Sequence, residues 1–167
     1  MTTAVSSGLI GRLRKPKWDA QPTQPASVLL ASAGGPFAPA AVSEAIGRAR
    51  SDDSAVAVVS IARLYGSAFG LPNPGLMPTK AEMAVQHGQV DGVMKTLSSS
   101  GVGCYGQVAT TRHPARTIAR VAQARGSTHI LVMVPDAPRW RRIIEGDLVR
   151  AIARRVGPAV TVEGVAT

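Results

Sequence analysis

The chain has 167 residues, 45% of them hydrophobic, which is enough to bury the core of a single domain without disulfides or structural metals. Its net charge of +9 arises from 19 basic and only 10 acidic residues, and its single cysteine, Cys104, excludes an internal disulfide. No apolar run approaches the ~18 residues of a transmembrane segment, and the absence of a signal-peptide pattern indicates a reducing cytoplasm.

Residues 1 to 27 lack the regular apolar spacing of a packed helix or strand and contain Pro16, Pro22 and Pro25. We expect a flexible basic extension, which is either a solvated arm or a segment that orders on a partner. Its cationic residues are candidates for partner binding: Arg12, Arg14, Lys15 and Lys17.

The predicted domain, residues 28 to 167, opens with a buried strand at Val28–Ser32 and a sharp glycine-rich turn. Apolar residues at helical spacing then predict a helix from Ala38 to Arg50. Residues Ala55 to Ala62 form a second apolar strand. The Gly- and Pro-rich segment from Tyr65 to Pro78 is long enough to be an insertion rather than a tight turn.

A capping box, Thr79 with Glu82, predicts the start of a long amphipathic helix that ends at Gly101. Its methionine-bearing stripe is typical of a core face. Residues Val102 to Thr110 read as a third strand, in which Cys104 has no sequence partner and is expected to be inert core. A helix from Pro114 to Gly126 follows, since proline suits a first turn and glycine a helix end.

The apolar run Ile130–Val134 predicts a central parallel strand, followed by a loop with Pro135 and Pro138. A last helix begins after Gly146-Asp147, and Ala159 to Val165 is the last strand. Alternating strands and helices specify an α/β fold, an open and mainly parallel five-stranded sheet with helices on both faces and right-handed crossovers.

Basic residues concentrate in the C-terminal half, where residues 110 to 160 contain ten arginines and three acids. Arg112, Arg116 and Arg120 recur every four residues and predict a basic stripe on one helix. Either these stems cover apolar surface with solvated heads, or the stripe docks on an acidic partner. The partner-binding candidates of this half are Arg112, Arg116, Arg120, Arg139, Arg141, Arg142, Arg150 and Arg154.

Catalytic and cofactor motifs are missing from the sequence. It has no GxxxxGK[ST], GxGxxG, HExxH, CxxC or GxSxG motif. His87, His113 and His129 occur singly, and no carboxylate pair is recognisable as a general acid and base. We therefore expect no enzyme activity and no metal site.

The segments VLLASAGG (28–35), AVAVVSIAR (55–63), VATTRHPARTIARVAQARGSTHILVMV (108–134) and IIEGDLVRAIARRVGPAVTV (143–162) resemble the universal stress protein family. The similarity lies in layout and apolar pattern and runs from Val28 to about Val165. It implies a five-stranded sheet with order 3-2-1-4-5 and a homodimer through the last strand, here residues 159–165. It also implies an adenine-nucleotide site, whose equivalent positions here are Ser32, Ala33, Ile61, Met133, Val134, Gly146, Asp147 and Leu148.

The sequence departs from the nucleotide-binding members at most of these positions. Their first-strand Asp falls on Ala33, which cannot accept hydrogen bonds from a nucleoside. Of the G-x-x-G-x9-G-[ST] loop only Gly146 remains, and it is followed by Asp147, whose carboxylate repels phosphate and caps backbone donors itself. Pro135 and Pro138 also remove two amide donors.

Three hypotheses follow from these observations. The first is a universal stress protein-like regulator or scaffold that has lost the ATP site and binds a macromolecular partner. The second is an adenine-nucleotide-binding member with altered contacts. The third is a basic adaptor for RNA, the ribosome or an acidic protein surface.

Overall fold

A computed structural model describes residues 25–63, 78–134 and 148–167. Strands and helices alternate along these ranges, as the apolar pattern predicts. In chain order they are β1 (Val28–Ser32), α1 (Pro39–Ser51), β2 (Val56–Arg63), α2 (Lys80–Ser99), β3 (Cys104–Thr111), α3 (Pro114–Arg125), β4 (His129–Val134), α4 (Leu148–Val156) and β5 (Thr161–Ala166).

The five strands form one parallel sheet with the order β3-β2-β1-β4-β5, which confirms the predicted fold class and strand order. All five residues of β1 are buried, because this strand is central and its side chains are apolar or small on both faces. In register, Ser32 at the end of β1 lies between Ser60 of β2 and Met133 of β4. The carboxyl ends of the three central strands therefore meet at one edge of the sheet.

Helices cover both faces of the sheet, so the core has two halves. On the first, the α1/α2 face, Ala45 and Leu97 pack against Leu30, Val58 and Leu131. On the second, the α3/α4 face, Ile118 and Ile152 pack against Leu29, Val59 and Ile130. Strand alternation sends successive side chains to opposite faces, which gives each helix pair its own apolar layer.

The sequence signals at helix ends are confirmed. The Thr79 hydroxyl accepts the Glu82 amide at 3.1 Å, and the Glu82 carboxylate accepts the Thr79 amide at 2.7 Å. Pro114 is the first residue of α3, and Gly126 closes that helix with φ +67°, a left-handed conformation that glycine adopts without steric cost.

The folded domain begins slightly before the boundary expected between residues 27 and 28. Ala26 is fully buried, its amide donates to the Arg125 carbonyl at 3.1 Å, and its carbonyl accepts the Ser127 hydroxyl at 2.7 Å. The Pro25 carbonyl accepts the amide of Ala55 at 3.2 Å. Residues 25 to 27 are thus part of the domain, because these bonds join the segment before β1 to the α1–β2 and α3–β4 connections. Residues 1 to 24 lie outside the described residues.

Candidate functional site

The crevice expected for a ligand lies where the strand order reverses, outside the carboxyl ends of β1 and β4. Ser32 and Met133 are buried there, and Val134 is half-buried at the end of β4. Ile61 is buried in β2, beside this edge. The structure thus brings together these four residues that the resemblance assigned to a nucleotide site, with half-buried Ala33 directly after β1.

The polar groups at the β1 end of the crevice are already bonded within the chain. The Ser32 hydroxyl donates to the Gly35 carbonyl at 2.5 Å, so it belongs to its own turn. The Met133 sulfur accepts the amide of Ala38, the N-cap residue of α1, at 3.4 Å. Ala33 contributes only a methyl group. Ser32 and Met133 are therefore already engaged within the chain, and Ala33 has no polar side-chain atom.

At the β2 side of this edge, the glycine turn contacts the backbone of β2 and a side chain of α2. Gly34 has φ +104°, and a Cβ added to it would lie 3.5 Å from the Ile61 carbonyl oxygen, so the turn lies directly against this backbone group. The Gln86 side-chain amide donates to the Gly34 carbonyl at 2.9 Å, and its oxygen accepts the buried Ser60 hydroxyl. Gln86 therefore ties the turn after β1 to both β2 and α2.

Gln86 was missed at the sequence level. Its partners Ser60 and Gly34 are 26 and 52 residues away in sequence, so no local pattern marks the contact. The one available signal is its place on α2, where a glutamine stands four residues before buried Val90 and is itself half-buried. A polar residue next to a buried stripe needs a partner inside the fold.

The phosphate end of the predicted site is only partly described. Gly146, Asp147 and the basic residues 139, 141 and 142 lie outside the described residues. Leu148, the first residue of α4, is half-buried and packs with the α3/α4 core rather than toward the crevice.

Among the described residues, no three His, Cys, Asp or Glu side chains come together as a metal site. His87 and His113 are exposed, and the His129 ring contacts the Thr128 hydroxyl at 3.1 Å. Cys104 is half-buried, with its sulfur 3.3 Å from the Ser98 hydroxyl and 3.5 Å from the Met94 carbonyl. Cys104 thus packs beside α2, as expected for a structural thiol.

The second candidate region is the outer side of α3 and α4. Arg116 and Arg120 are exposed on α3, and Arg150 and Arg154 are exposed on α4; these four residues are called the arginine surface below. The two helices are neighbours, because the Gln123 amide donates to the Arg155 carbonyl at 3.4 Å and their buried residues share one core cluster. The arginines at these positions therefore lie on two neighbouring helices.

Arg112 does not belong to the helical stripe that its spacing predicted. The Thr111 hydroxyl accepts the His113 amide at 3.0 Å, which turns the chain before α3 begins at Pro114. Arg112 is exposed in this bend, at the amino-terminal end of the helix. Residues 12, 14, 15 and 17 of the predicted partner set lie outside the described residues.

Arg125 differs from the other α3 arginines because it is buried, with 7% of its surface exposed. Its guanidinium carbon lies 4.7 Å from the centroid of the Tyr105 ring on β3, a cation–π distance. This arginine is a structural contact between α3 and the sheet, so it does not contribute to the arginine surface.

The edge strand expected to carry a dimer is β5, which spans Thr161–Ala166 rather than 159 to 165. Residues 159 and 160 precede the strand in the turn after Gly157, whose φ is +83°. The Thr161 amide donates to the Thr128 carbonyl at 2.8 Å, and the Thr167 amide to the Val134 carbonyl at 3.2 Å. Odd-numbered residues thus bond to β4, and alternation directs the amides of Val162 and Gly164 to the open edge.

The open, parallel, doubly wound sheet with this strand order is the architecture that the sequence resemblance implied. The chain is similar to a universal stress protein from Burkholderia pseudomallei, with TM-score 0.58 and 15% identity over 83% of this chain and 95% of that one. It is also similar to the Archaeoglobus fulgidus protein in complex with dAMP (TM-score 0.56, 13% identity, 84% and 96% covered). A universal stress protein in complex with cAMP gives TM-score 0.57 and 11% identity over 87% and 98%.

The chain therefore has the universal stress protein fold, as the sequence resemblance implied. At these low identities the likeness concerns the fold alone. No protein-family model and no curated protein matches the sequence. No helix in the described ranges is both long enough and apolar enough to cross a membrane.

Proposed function

We propose that this chain is a universal stress protein-like scaffold or regulator that has lost the adenine-nucleotide site, performs no catalysis, and acts by binding a macromolecular partner. The observation that carries the proposal is the pair of hydrogen bonds by which Gln86 joins Gly34 to Ser60, next to Ile61 in sequence; on our proposal these bonds close the β2 side of the crevice. A nucleoside would have to displace this amide before it could reach the Ile61 backbone.

The energetic cost of that displacement supports the proposal. Ser60 is fully buried, and opening the crevice would leave its hydroxyl and the Gly34 carbonyl without their present partner. The buried Ser60 hydroxyl left without a hydrogen bond would cost about 1–3 kcal/mol, whereas the exposed Gly34 carbonyl could bond to water. Ala33 also offers no acceptor to a bound nucleoside, so the nucleoside would gain no side-chain hydrogen bond there.

Calorimetric titration with ATP, AMP and cAMP tests the proposal. We expect no measurable binding to the wild type, and no nucleotide retained through purification. Gln86→Ala provides a matched variant, because it removes the closing amide while Ser32 and Met133 keep their own contacts. Stoichiometric co-purified nucleotide or micromolar affinity in the wild type would overturn the loss of the site.

A second candidate, an adenine-nucleotide binder with altered contacts, is favoured by the solved structures of this fold that contain dAMP and cAMP. Here the backbone of Ile61 and the turn after Ser32 would have to hold the base. The same titration separates the two candidates. Micromolar binding that Gln86→Ala strengthens would support a gated nucleotide site instead of a lost one.

We also propose a homodimer through β5, because an edge strand with open donors is an aggregation hazard that pairing with a second copy removes. Val162→Pro removes a donor directed to the open edge and spares the bonds to β4, so it should give monomers by light scattering with nearly unchanged folding. Thr161→Pro is the control that breaks the inner ladder and destabilises the strand. A monomeric wild type at micromolar concentration would contradict the dimer.

The N-terminal residues enter the proposal as a flexible basic extension that contributes to partner binding in the cytoplasm. The charge of residues 12 to 17 supports this role. Partner capture by the full chain and by a chain beginning at Gln24 provides the test, because this truncation leaves the Pro25–Ser27 contacts in place. Equal capture by both chains would leave the extension without a binding role.

A further inference from the structure

The charges of the α3/α4 face are unusual because the described residues of its two helices include no acid. The α3 sequence PARTIARVAQAR and the α4 sequence LVRAIARRV contain arginine as their only charged residue. Arg116, Arg120 and Arg154 form no ion pair within the described residues. Like charges on neighbouring helices repel, so a polyanion that neutralises them would bind favourably.

The arrangement of the arginine surface is regular. Arg116 and Arg120 are one helical turn apart on α3, and Arg150 and Arg154 repeat that spacing on α4. One turn corresponds to about 5–6 Å between Cβ atoms, and packed helices lie about 8–10 Å apart. The surface thus places four arginines in two short rows on neighbouring helices, and Arg112 is exposed in the bend before α3.

The surroundings of these rows favour nucleic acid over protein. Protein interfaces place exposed apolar and aromatic side chains at their centre, whereas nucleic-acid interfaces are more polar and more positively charged. The exposed large hydrophobic side chain of the described residues is Val85, 57% exposed, and it lies on α2 at the opposite face of the sheet. In the part of the chain that the structure describes, the α3/α4 face offers charge without an exposed large apolar side chain.

Within the described residues, the aromatic side chains favour double over single strands. Binding of single strands relies on bases stacked on exposed aromatic rings, but the described aromatics Phe37 and Tyr105 are half-buried and pack against the core. A duplex presents its phosphates to the protein, and its binding does not require exposed aromatic rings. In A-form RNA the major groove is deep and narrow, which brings two phosphate strands close enough for two adjacent cation rows.

We propose that the arginine surface binds duplex RNA through its phosphate backbone, across the narrow major groove and independently of base sequence. The inference rests on the proposed function, a macromolecule-binding domain, and gives its partner a chemical class. Guanidinium groups suit phosphate because they donate two parallel hydrogen bonds.

Fluorescence anisotropy with a labelled 16-base-pair RNA duplex, at several salt concentrations, tests the inference. We expect wild-type affinity to fall steeply with salt. Arg116→Glu/Arg120→Glu should reduce affinity at least tenfold and make the log–log salt slope shallower by about 1.8, since each phosphate contact contributes about 0.9. The control Lys80→Glu/Lys95→Glu lowers the net charge equally from exposed positions on α2 and should bind as the wild type.

Absence of RNA binding at low salt would overturn the inference, as would equal losses in the two double variants. Tighter binding of single-stranded RNA, of the same duplex as DNA, or of an acidic polypeptide would overturn the choice of duplex RNA. Arg116→Lys/Arg120→Lys keeps the charge and should retain most affinity at low salt. The nucleotide titration is independent: ATP binding with intact RNA binding would contradict the closed crevice alone.

Discussion

The two faces of the sheet share one architecture but differ in how their charges are balanced. On the α1/α2 face, α2 has two bases and two acids, and Arg48 of α1 bonds to Glu44 at 2.6 Å and to Glu163 at 3.2 Å. These bonds, with that to Glu44 first, raise the pKa of Arg48 above its ordinary value. The described residues of α3 and α4 include no acid.

This difference separates two tasks within one fold. The α1/α2 face pairs its Arg48 with two acids and supplies Gln86, which on our proposal closes the crevice. The α3/α4 face keeps its cations unpaired at Arg116, Arg120 and Arg154 within the described residues, and this arrangement favours an external anion. On our proposal, the binding site of this chain is the arginine surface on α3 and α4 and not the carboxyl ends of the strands.

The largest expected effect comes from removing the anchor of α4. Ile152 is fully buried and is the buried residue of this helix, so Ile152→Ala should lower the free energy of unfolding by about 2–5 kcal/mol. Urea denaturation measures it. The variant should also lose RNA affinity, because α4 no longer holds its arginine row beside α3.

Leu97→Ala on α2 is the matched control, since Leu97 is also fully buried but lies on the other face. It should cost a similar free energy and leave RNA binding by the folded protein unchanged. Equal RNA affinities for the two variants, measured where both are folded, would show that the faces do not divide the tasks in this way.

A smaller effect is expected from two glycines that permit close packing. A Cβ at Gly106 would lie 2.6 Å from Val90 Cγ1 and would also overlap the Met94 sulfur, so Gly106→Ala should destabilise by about 1–3 kcal/mol. At Gly164 the nearest atoms, of Val134 and Val149, are 3.1 Å away. Gly164→Ala should therefore lower the stability less than Gly106→Ala. Thermal unfolding measures both, and equal decreases in melting temperature would contradict this order.

Local signals predicted the elements well because they depend on neighbours in sequence. The Thr79–Glu82 box, the glycine at 126 and the apolar runs specify ends and faces within a few residues, and the parallel order follows from their alternation. Most predicted boundaries differ from the observed ones by one or two residues, as expected where caps fray.

Contacts between distant residues were beyond the same reasoning. Arg125 in the last turn of α3 looks like an ordinary solvated cation, yet it is buried because Tyr105 of β3 provides a ring beneath it. Arg112 was assigned to the stripe because its spacing is helical. The Thr111 hydroxyl accepts the His113 amide in a bend, however, so Arg112 precedes the helix. Closure by Gln86 depends on Gly34 and Ser60, and only the folded chain brings the three together.

A still smaller effect is expected from the balanced charges of the α1/α2 face. Arg48→Met removes the bonds to Glu44 and Glu163, whose partly exposed pairs contribute about 0–1 kcal/mol. The loss should diminish in high salt. Arg120→Met on the other face should be neutral or slightly stabilising, because it relieves repulsion. Urea denaturation at two salt concentrations would contradict the comparison if both variants lost equal stability.

The smallest expected effect is the response of the helix ends to low pH. Protonation should weaken the first turn of a helix only where an ionised carboxylate caps it. Bonding of the Glu82 carboxylate to the Thr79 backbone amide, and then to its side chain, lowers the pKa of Glu82 below its ordinary 4.5. Because the folded pKa of Glu82 is lowered, the stabilising contribution of its carboxylate is complete above the unfolded pKa and is lost as pH falls through the folded pKa.

At α3 no acid occupies the first turn, so the amino-terminal end of α3 should not respond to this change of pH. Hydrogen exchange should therefore show protection at Met83 declining below about pH 4.5 while protection at Thr117 stays constant. Glu82→Gln keeps the capping geometry without the titration, and an unchanged pH dependence in that variant would assign the effect to another group.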